Sequence, residues 1–332
     1  VNLVQRAVQA GGKLAPIVIP KRFTAGTGLM NPSVFVDEDG EILVNLRHVN
    51  YALYHAEHKQ RFPSMWGPLA YLHPENNLRL ETENYLCRLN SELEMTDYCL
   101  VDVLNLHEPI WEFLGLEDAR LVQWKGVYYL IGVRRDTTTN GQGRMEYSTI
   151  SLNKGKWEAR EVARKRIAAP NDDSSYCEKN WVPVIDQPFT FVKWTMPTEL
   201  VHVLPDVEAP TVQVALKQTP PAPLDQRGSS HVFAWGDYLV SITHDVDLFK
   251  NYLEQKGAVY RHRLCVWDKD FNFLGLTNQF TFLDAYVEFC VGAAVYGEDL
   301  LVSFGFQDNA AFILKVPHSV VDELVQEALN AN

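Results

Sequence analysis

Three polar side chains, Glu117, Asp118 and Arg120, open the segment GLEDARLVQWKGVYYLIGVRR (115–135), which is otherwise rich in Val, Leu, Ile, Tyr and Trp. A carboxylate beside a guanidinium, placed where a strand enters a core, suits proton transfer or the anchoring of a polar ligand, with the arginine holding an anion. Side chains alternate along a strand, so Asp118 and Arg120 are expected on one face and Glu117 on the other. A buried ion pair that pins a strand edge uses the same residue types, so the functional reading depends on other groups converging there. Asn31, Lys179, Arg227, Ser229, His244, Asp245 and Asp308 are such groups, each polar and each at or near the end of a strand-like run.

The elements that must position them repeat. Five segments share one plan: a polar signature, a short apolar strand, a tight turn, and a second strand rich in aromatic and β-branched residues. They enter near Asn31, Glu117, Glu178, Ser229 and Glu288, roughly fifty to ninety residues apart, the spacing of propeller blades with decorated loops. Asp39-Gly40, Lys125-Gly126, Gly236-Asp237 and Gly297-Glu298 supply the reversals. The pattern predicts an all-β fold, a five-bladed β-propeller spanning 1–332 as one domain; a β-sandwich is the structural alternative. In a propeller the innermost strands line a central channel, so residues at their entrances share one shallow pocket.

Helical signals are sparse. SVVDELVQEAL after Pro317 reads as a terminal helix over 318–330, with Ser319 as N-cap, acidic residues in its first turn and Val321, Leu324, Val325 and Leu329 facing the core. The Pro-rich stretch from Pro197 reads as a loop-bearing outer part of the third blade, ending in a linker, TPPAPLDQ.

Bulk properties narrow the partners. A net charge of -12 and a pI near 5.3 disfavour nucleic acid or an anionic membrane surface as the main partner, while leaving room for a local cationic pocket. No run approaches the roughly 18 apolar residues of a membrane span. The five cysteines, Cys87, Cys99, Cys177, Cys265 and Cys290, are widely spaced in apolar contexts and read as free thiols in a reducing compartment, the cytoplasm. His55 and His58 have no further ligands near them in sequence and read as a solvated turn, not a zinc site. The opening Val1 suggests excerption from a longer chain.

GLEDARL resembles the Gly-x-Glu-Asp-Pro-Arg signature of glycoside hydrolase family 130, the mannoside phosphorylases and their relatives, which are five-bladed β-propellers. NPSVF, EKNWVPV, VSITHDV and VSFGFQDNAAFI resemble further segments of that family in the same order, over residues 30 to 315. The resemblance implies inverting transfer at a β-mannoside, with Asp118 as the catalytic acid acting through a sugar hydroxyl and phosphate as nucleophile. It implies substrate contacts from Asn31, Arg120, Lys179, Asn180, Asp245 and Asp308. Arg120, Lys179 and His244, with Arg134 or Arg135, would hold phosphate, because a bidentate guanidinium matches its geometry. Ala119 stands where the signature has proline. RGSSHVFAWGDYLVSITHDV and YRHRLCVWDKDFNFLGLTNQF resemble a divergent branch of glycosyltransferase-like propellers, implying a nucleotide sugar as alternative co-substrate and association with, or fusion to, other glycan-synthesis domains. No metal and no further cofactor is implied.

Three function classes follow. The first is glycosyl transfer involving a phosphate group, by phosphorolysis or from a sugar nucleotide. The second is inverting hydrolysis, which needs a second carboxylate about 6.5–9.5 Å from the first to activate water; Glu178, Asp245 and Glu288 are its candidates. The third is binding of a glycan or protein without chemistry.

Overall fold

The computed structural model describes residues 2–54, 70–72, 79–170, 176–205, 211–217, 226–250 and 256–331; His55, His58 and most of the expected linker lie outside them. The chain runs α1 (Leu3–Gln9), β1 (Lys13–Pro16), α2 (Lys21–Thr24), β2 (Leu29–Val36), β3 (Ile42–Val49), β4 (Ala52–Tyr54), β5 (Ala70–Leu72), β6 (Leu80–Leu89) and β7 (Met95–Asp102). It continues with β8 (Phe113–Leu114), β9 (Glu117–Trp124), β10 (Val127–Arg134), β11 (Arg144–Asn153), β12 (Glu158–Arg166), β13 (Val182–Pro183), β14 (Thr190–Trp194), β15 (Glu199–Leu204) and β16 (Thr211–Lys217). Last come β17 (Arg227–Gly228), β18 (Phe233–Trp235), β19 (Tyr238–Lys250), β20 (Lys256–Trp267), β21 (Phe273–Leu276), β22 (Glu288–Tyr296), β23 (Asp299–Phe306), β24 (Ala310–Val316) and α3 (His318–Asn330).

Among the described residues the strands form five antiparallel units, β2-β3-β6-β7, β9 to β12, β13 to β16, β17 and β18 with β19-β20-β21, and β22-β23-β24-β1, besides the separate pair β4-β5 and the short β8 beside β6. The last takes its fourth strand from the N-terminal end of the chain, with Lys13 opposite Lys315. The first two join through a short parallel contact of their outer strands, Val101 opposite Ala159. Inner strands such as β2 and β3 are buried on both faces, polar Asn31, Ser33, Asn45, Arg47 and His48 included, whereas the outer β12 begins by alternating exposed and buried. The tight turn Lys125-Gly126 has both residues at positive φ, 53° and 79°, which the hairpin twist requires and glycine allows.

Apolar side chains pack between neighbouring units. Phe35, Leu121, Trp181 and Phe191 join the first three; Val182, Val232 and Trp267 join the third and fourth. Ile242, Phe304 and α3 join the fourth and fifth, and Val44 with Leu301 joins the fifth back to the first. The circuit closes, as it does in a β-propeller. All five thiols are free.

The terminal helix spans His318–Asn330 and buries Val321, Leu324 and Val325 as expected, but its cap differs. Pro317 occupies the N-cap position, Ser319 lies inside the first turn, and that turn holds no acidic residue. Instead the His318 backbone N–H donates to Asp299 Oδ1 at 3.0 Å, so a carboxylate from the β22–β23 turn region does the capping. No helix is long and apolar enough to cross a membrane among the described residues.

Candidate functional site

In every unit the first strand begins at the same rim, and the second ends there too, except in the fourth, where β19 runs on past His244 to Lys250. Register places Met30 opposite Arg47, Glu117 opposite Val133, Val182 opposite Val192, Arg227 opposite His244, and Glu288 opposite Phe306. The rim therefore gathers Asn31, Asp118, Asn180, His244 and Asp308. Four of these, Asn31 (φ 47°), Asp118 (49°), Asn180 (61°) and Asp308 (52°), are left-handed. Asn and Asp tolerate that region better than other side chains, and such backbone is held only where its surroundings impose it. At Asn31 and Asp118 the cause is visible: the register slips between Met30 and Ser33 and between Ile131 and Val133, so each strand bulges as it leaves the rim.

The bulge overturns the alternation argument. Glu117 and Asp118 do not part; both reach Arg47, which pairs with Asp118 Oδ1 at 2.8 Å and Glu117 Oε2 at 3.6 Å. Asn31 Nδ2 donates to the same Asp118 oxygen at 2.8 Å. Burial opposes ionisation of Asp118, yet the charge of Arg47, the Asn31 bond and the charges of Arg120 and Lys179 outweigh it and hold the carboxyl below its usual range. Asp308 behaves oppositely. Burial and the negative charge of Asp118 push it up to about 6, against the pull of Arg47. Arg47 is the group the sequence reading missed. Its signal was its place at the end of the second strand of the first unit, VNLRH, matching His244 in the fourth.

Beside this centre lies a cavity of about 350 Å³ lined by Lys179, Asn180, Lys193, Trp194 and Arg227. Lys179 is exposed and lies close enough to Asp118 and His244 to shift both. Lys193 is held by Glu178 at 3.4 Å. Of the two adjacent arginines, Arg135 turns toward the site: it approaches Glu117 at 3.8 Å and donates to Cys177 Sγ at 3.3 Å, at the cavity edge. His244 Nδ1 lies 2.9 Å from Ser229 Oγ, and its ring packs edge-on to Phe289. Burial first, then His262 and the nearby cations, lower its pKa well below the ordinary value, so the neutral His244 ring offers hydrogen bonds but no charge.

Other expected roles do not fit the geometry. Arg120 is 1% exposed, and all three of its nitrogens face backbone carbonyls: Nε and Nη2 donate to Ser229 O at 3.2 and 3.0 Å, and Nη1 to Asp118 O at 3.0 Å. It ties the second unit to the fourth beneath the rim, and its guanidinium has no face for phosphate or sugar. Arg134 points away, into a buried network with Glu146 at 3.0 Å and Asp136 at 3.4 Å. Asp245, one residue past His244, falls on the other face of β19, where it accepts from Gln226 (2.9 Å) and Gln279 (2.7 Å). Glu178 accepts from Trp181 Nε1, and Glu288 accepts the backbone N–H groups of Phe282, Leu283 and Ala285. All three carboxylates are thus engaged by groups of the protein itself. Away from the rim, Asp37, Asp39 and Glu41 cluster closely enough for a cation, but Lys154 Nζ sits among them at 2.6–2.7 Å.

No protein-family model and no curated protein matches the chain. Solved structures do. A β-1,2-mannobiose phosphorylase from Listeria innocua superposes with a TM-score of 0.52 at 14% identity, over 91% of this chain and 93% of that one. A glycosyl hydrolase from Bacteroides ovatus gives 0.58 at 10% identity, over 88% and 85%. A structure reported for the family 130 mannoside phosphorylases, as containing glycoside hydrolases that target β-1,2 mannosidic linkages in Candida mannan, gives 0.58 at 11%, over 88% and 85%. The chain has their fold.

Proposed function

We propose that the rim site carries out inverting glycosyl transfer between a mannoside and a phosphate group. The observation that carries this reading is Asp118, a carboxylate held ionised by Arg47 and Asn31 beside a cavity lined by Lys179, Lys193 and Arg227. The mannoside is supported by the signature around Asp118 and by the fold shared with a mannobiose phosphorylase.

An ionised Asp118 is prepared for the synthetic direction. The acceptor hydroxyl oxygen bonds to the anomeric carbon as the bond from that carbon to the phosphate oxygen breaks, its electron pair leaving on phosphate. The hydroxyl proton passes to Asp118, directly or through a sugar hydroxyl. Phosphorolysis is the reverse, and there Asp118 must first hold the proton. Lys179, Arg227, Lys193 and Arg135 stabilise the phosphate, inorganic or part of a nucleotide sugar. Asn31, Asn180 and Asp308, set at the rim by left-handed backbone, face the sugar.

A second reading, hydrolysis, has one observation in its favour: Asp308 is a second carboxyl near Asp118 with a displaced pKa, while Glu178, Asp245 and Glu288 are engaged elsewhere. Incubation with β-1,2-mannobiose with and without phosphate separates the two. Mannose 1-phosphate formed only with phosphate supports transfer; free mannose formed at the same rate without phosphate supports hydrolysis. Tight binding with neither product leaves the propeller as a binding module.

A further inference from the structure

Ser229 follows the two-residue strand β17, in which Arg227 lies opposite His244 and Gly228 opposite Thr243. Its backbone is fixed from a distant unit, because the Ser229 carbonyl accepts from Arg120 Nε at 3.2 Å and Nη2 at 3.0 Å. Gly228 beside it packs so closely on the third unit that a Cβ there would meet Asn180 O at 2.4 Å. The hydroxyl is thereby delivered to one place. Ser229 Oγ lies 2.9 Å from His244 Nδ1, its single partner among the described residues.

That contact has a direction. His244 is neutral, so one ring nitrogen carries the proton and the other is bare. Were Nδ1 the protonated one, Ser229 Oγ would accept from it. The hydroxyl's own proton would then be sealed in the interior without an acceptor, because Ser229 is 0% exposed. With Nδ1 bare, Ser229 donates to it and no donor is stranded. The ring proton then sits on Nε2.

The ring is held in that pose by Tyr260, stacked at a centroid distance of 5.9 Å, and by Phe289, edge-on at 4.9 Å. Nε2 has no protein partner among the described residues. Around the ring, Arg227 stands opposite on β17, and the charges of Arg227 and Lys179 both act on it. An unprotonated phosphate oxygen has no hydrogen to offer, so a bare Nε2 would set lone pair against lone pair, whereas Nε2–H meets it as a donor.

We infer that Ser229 is a positioning residue, which fixes His244 as the Nε2–H tautomer so that the ring donates a hydrogen bond to an oxygen of the phosphate group and cannot accept one from a sugar hydroxyl. The identity of that anion rests on the glycosyl-transfer reading; the tautomer does not.

The test is nitrogen-15 NMR of protein labelled at histidine, with and without inorganic phosphate, the His244 signals being those missing from His244→Gln. Calorimetry with inorganic phosphate and with methyl β-mannoside accompanies it. In the wild type Nδ1 should resonate as a bare nitrogen and Nε2 as a protonated one, and phosphate should shift Nε2. In Ser229→Ala both resonances should move toward those of mixed tautomers, and phosphate should bind about two- to tenfold more weakly, the scale of one neutral hydrogen bond, with methyl β-mannoside unaffected. A protonated Nδ1 in the wild type overturns the inference whatever binds, and phosphate binding in the same sample leaves the transfer reading standing. Unchanged resonances and unchanged phosphate affinity in Ser229→Ala also overturn it. Wild-type protein with the expected tautomer but no affinity for phosphate overturns the transfer reading, and the role of Nε2 toward an anion with it.

Discussion

Replacing Arg47 by Met removes the cation that fixes the charge of Asp118 and leaves the rim's shape nearly unchanged. Arg47 is buried, its side chain 8% exposed, and Asp118 is 19% exposed, so solvent screens the pair little. With charge centres about 4 Å apart and an effective dielectric of about 20, the attraction is at most about 4 kcal/mol. The Asn31 bond and the Lys179 charge stay, but burial is no longer offset by Arg47, so the pKa of Asp118 is expected to rise. The sign follows. In the wild type the folded pKa is depressed, so the pair stabilises the fold at neutral pH and its contribution is lost as pH falls through the acidic range below the ordinary carboxyl value. In Arg47→Met that contribution is gone at all pH values, and breaking a buried pair of this kind costs about 3–5 kcal/mol. The assay is a carboxyl carbon-13 NMR titration of Asp118 beside the pH profile of glycoside synthesis. Both midpoints should move up together. A folded variant whose Asp118 titrates as in the wild type refutes the reasoning, because Arg47 would then not set the ionisation of the carboxylate it touches.

Lys179→Ala should weaken phosphate binding by about tenfold, the scale of one charge-assisted bond, with no change in melting temperature, as calorimetry and thermal melts check. Arg120→Met should do the reverse: it strands the carbonyls of Ser229 and Asp118, lowering stability by about 2–4 kcal/mol in urea titration without a selective loss of phosphate affinity. Asp308 has a raised folded pKa, so the native state binds more protons than the unfolded one between about pH 4 and 6, and stability falls as pH rises through that window. Asp308→Asn should therefore be about 1–3 kcal/mol more stable than the wild type above pH 6 and equal to it below pH 4, as urea titrations across that range check.

The repeat of strand, turn and aromatic strand was legible because hairpins with Gly turns leave local marks, and the common rim followed from it. Asn31, Asp118, Lys179 and Asp308 were within reach because polar residues at strand ends stand out against apolar runs. What failed was anything decided by a register slip or by a neighbouring unit. The bulge at Asp118 turned Glu117 to the same side, and no composition signal marks a residue at φ 49°. Arg120 reads like a ligand arginine until Ser229, from a distant unit, supplies the carbonyl that takes it. Asp245 was misplaced for a simpler reason: strand alternation sends His244 and its successor to opposite faces, and only the structure shows which one faces the site. Arg47 was hidden because nothing in VNLRHV distinguishes it from a solvated cation, and the carboxylate it holds comes from the neighbouring unit.

The central claim, phosphate-linked glycosyl transfer through Asp118, is tested most directly by single-turnover measurement of phosphate release from α-mannose 1-phosphate in the presence of mannose as acceptor, for the wild type and Asp118→Asn. One phosphate released per new glycosidic bond is expected in the wild type, and a rate at least about a hundredfold lower in a variant that melts at the same temperature. Equal rates in the two proteins, or phosphate released with no glycoside formed, would contradict it.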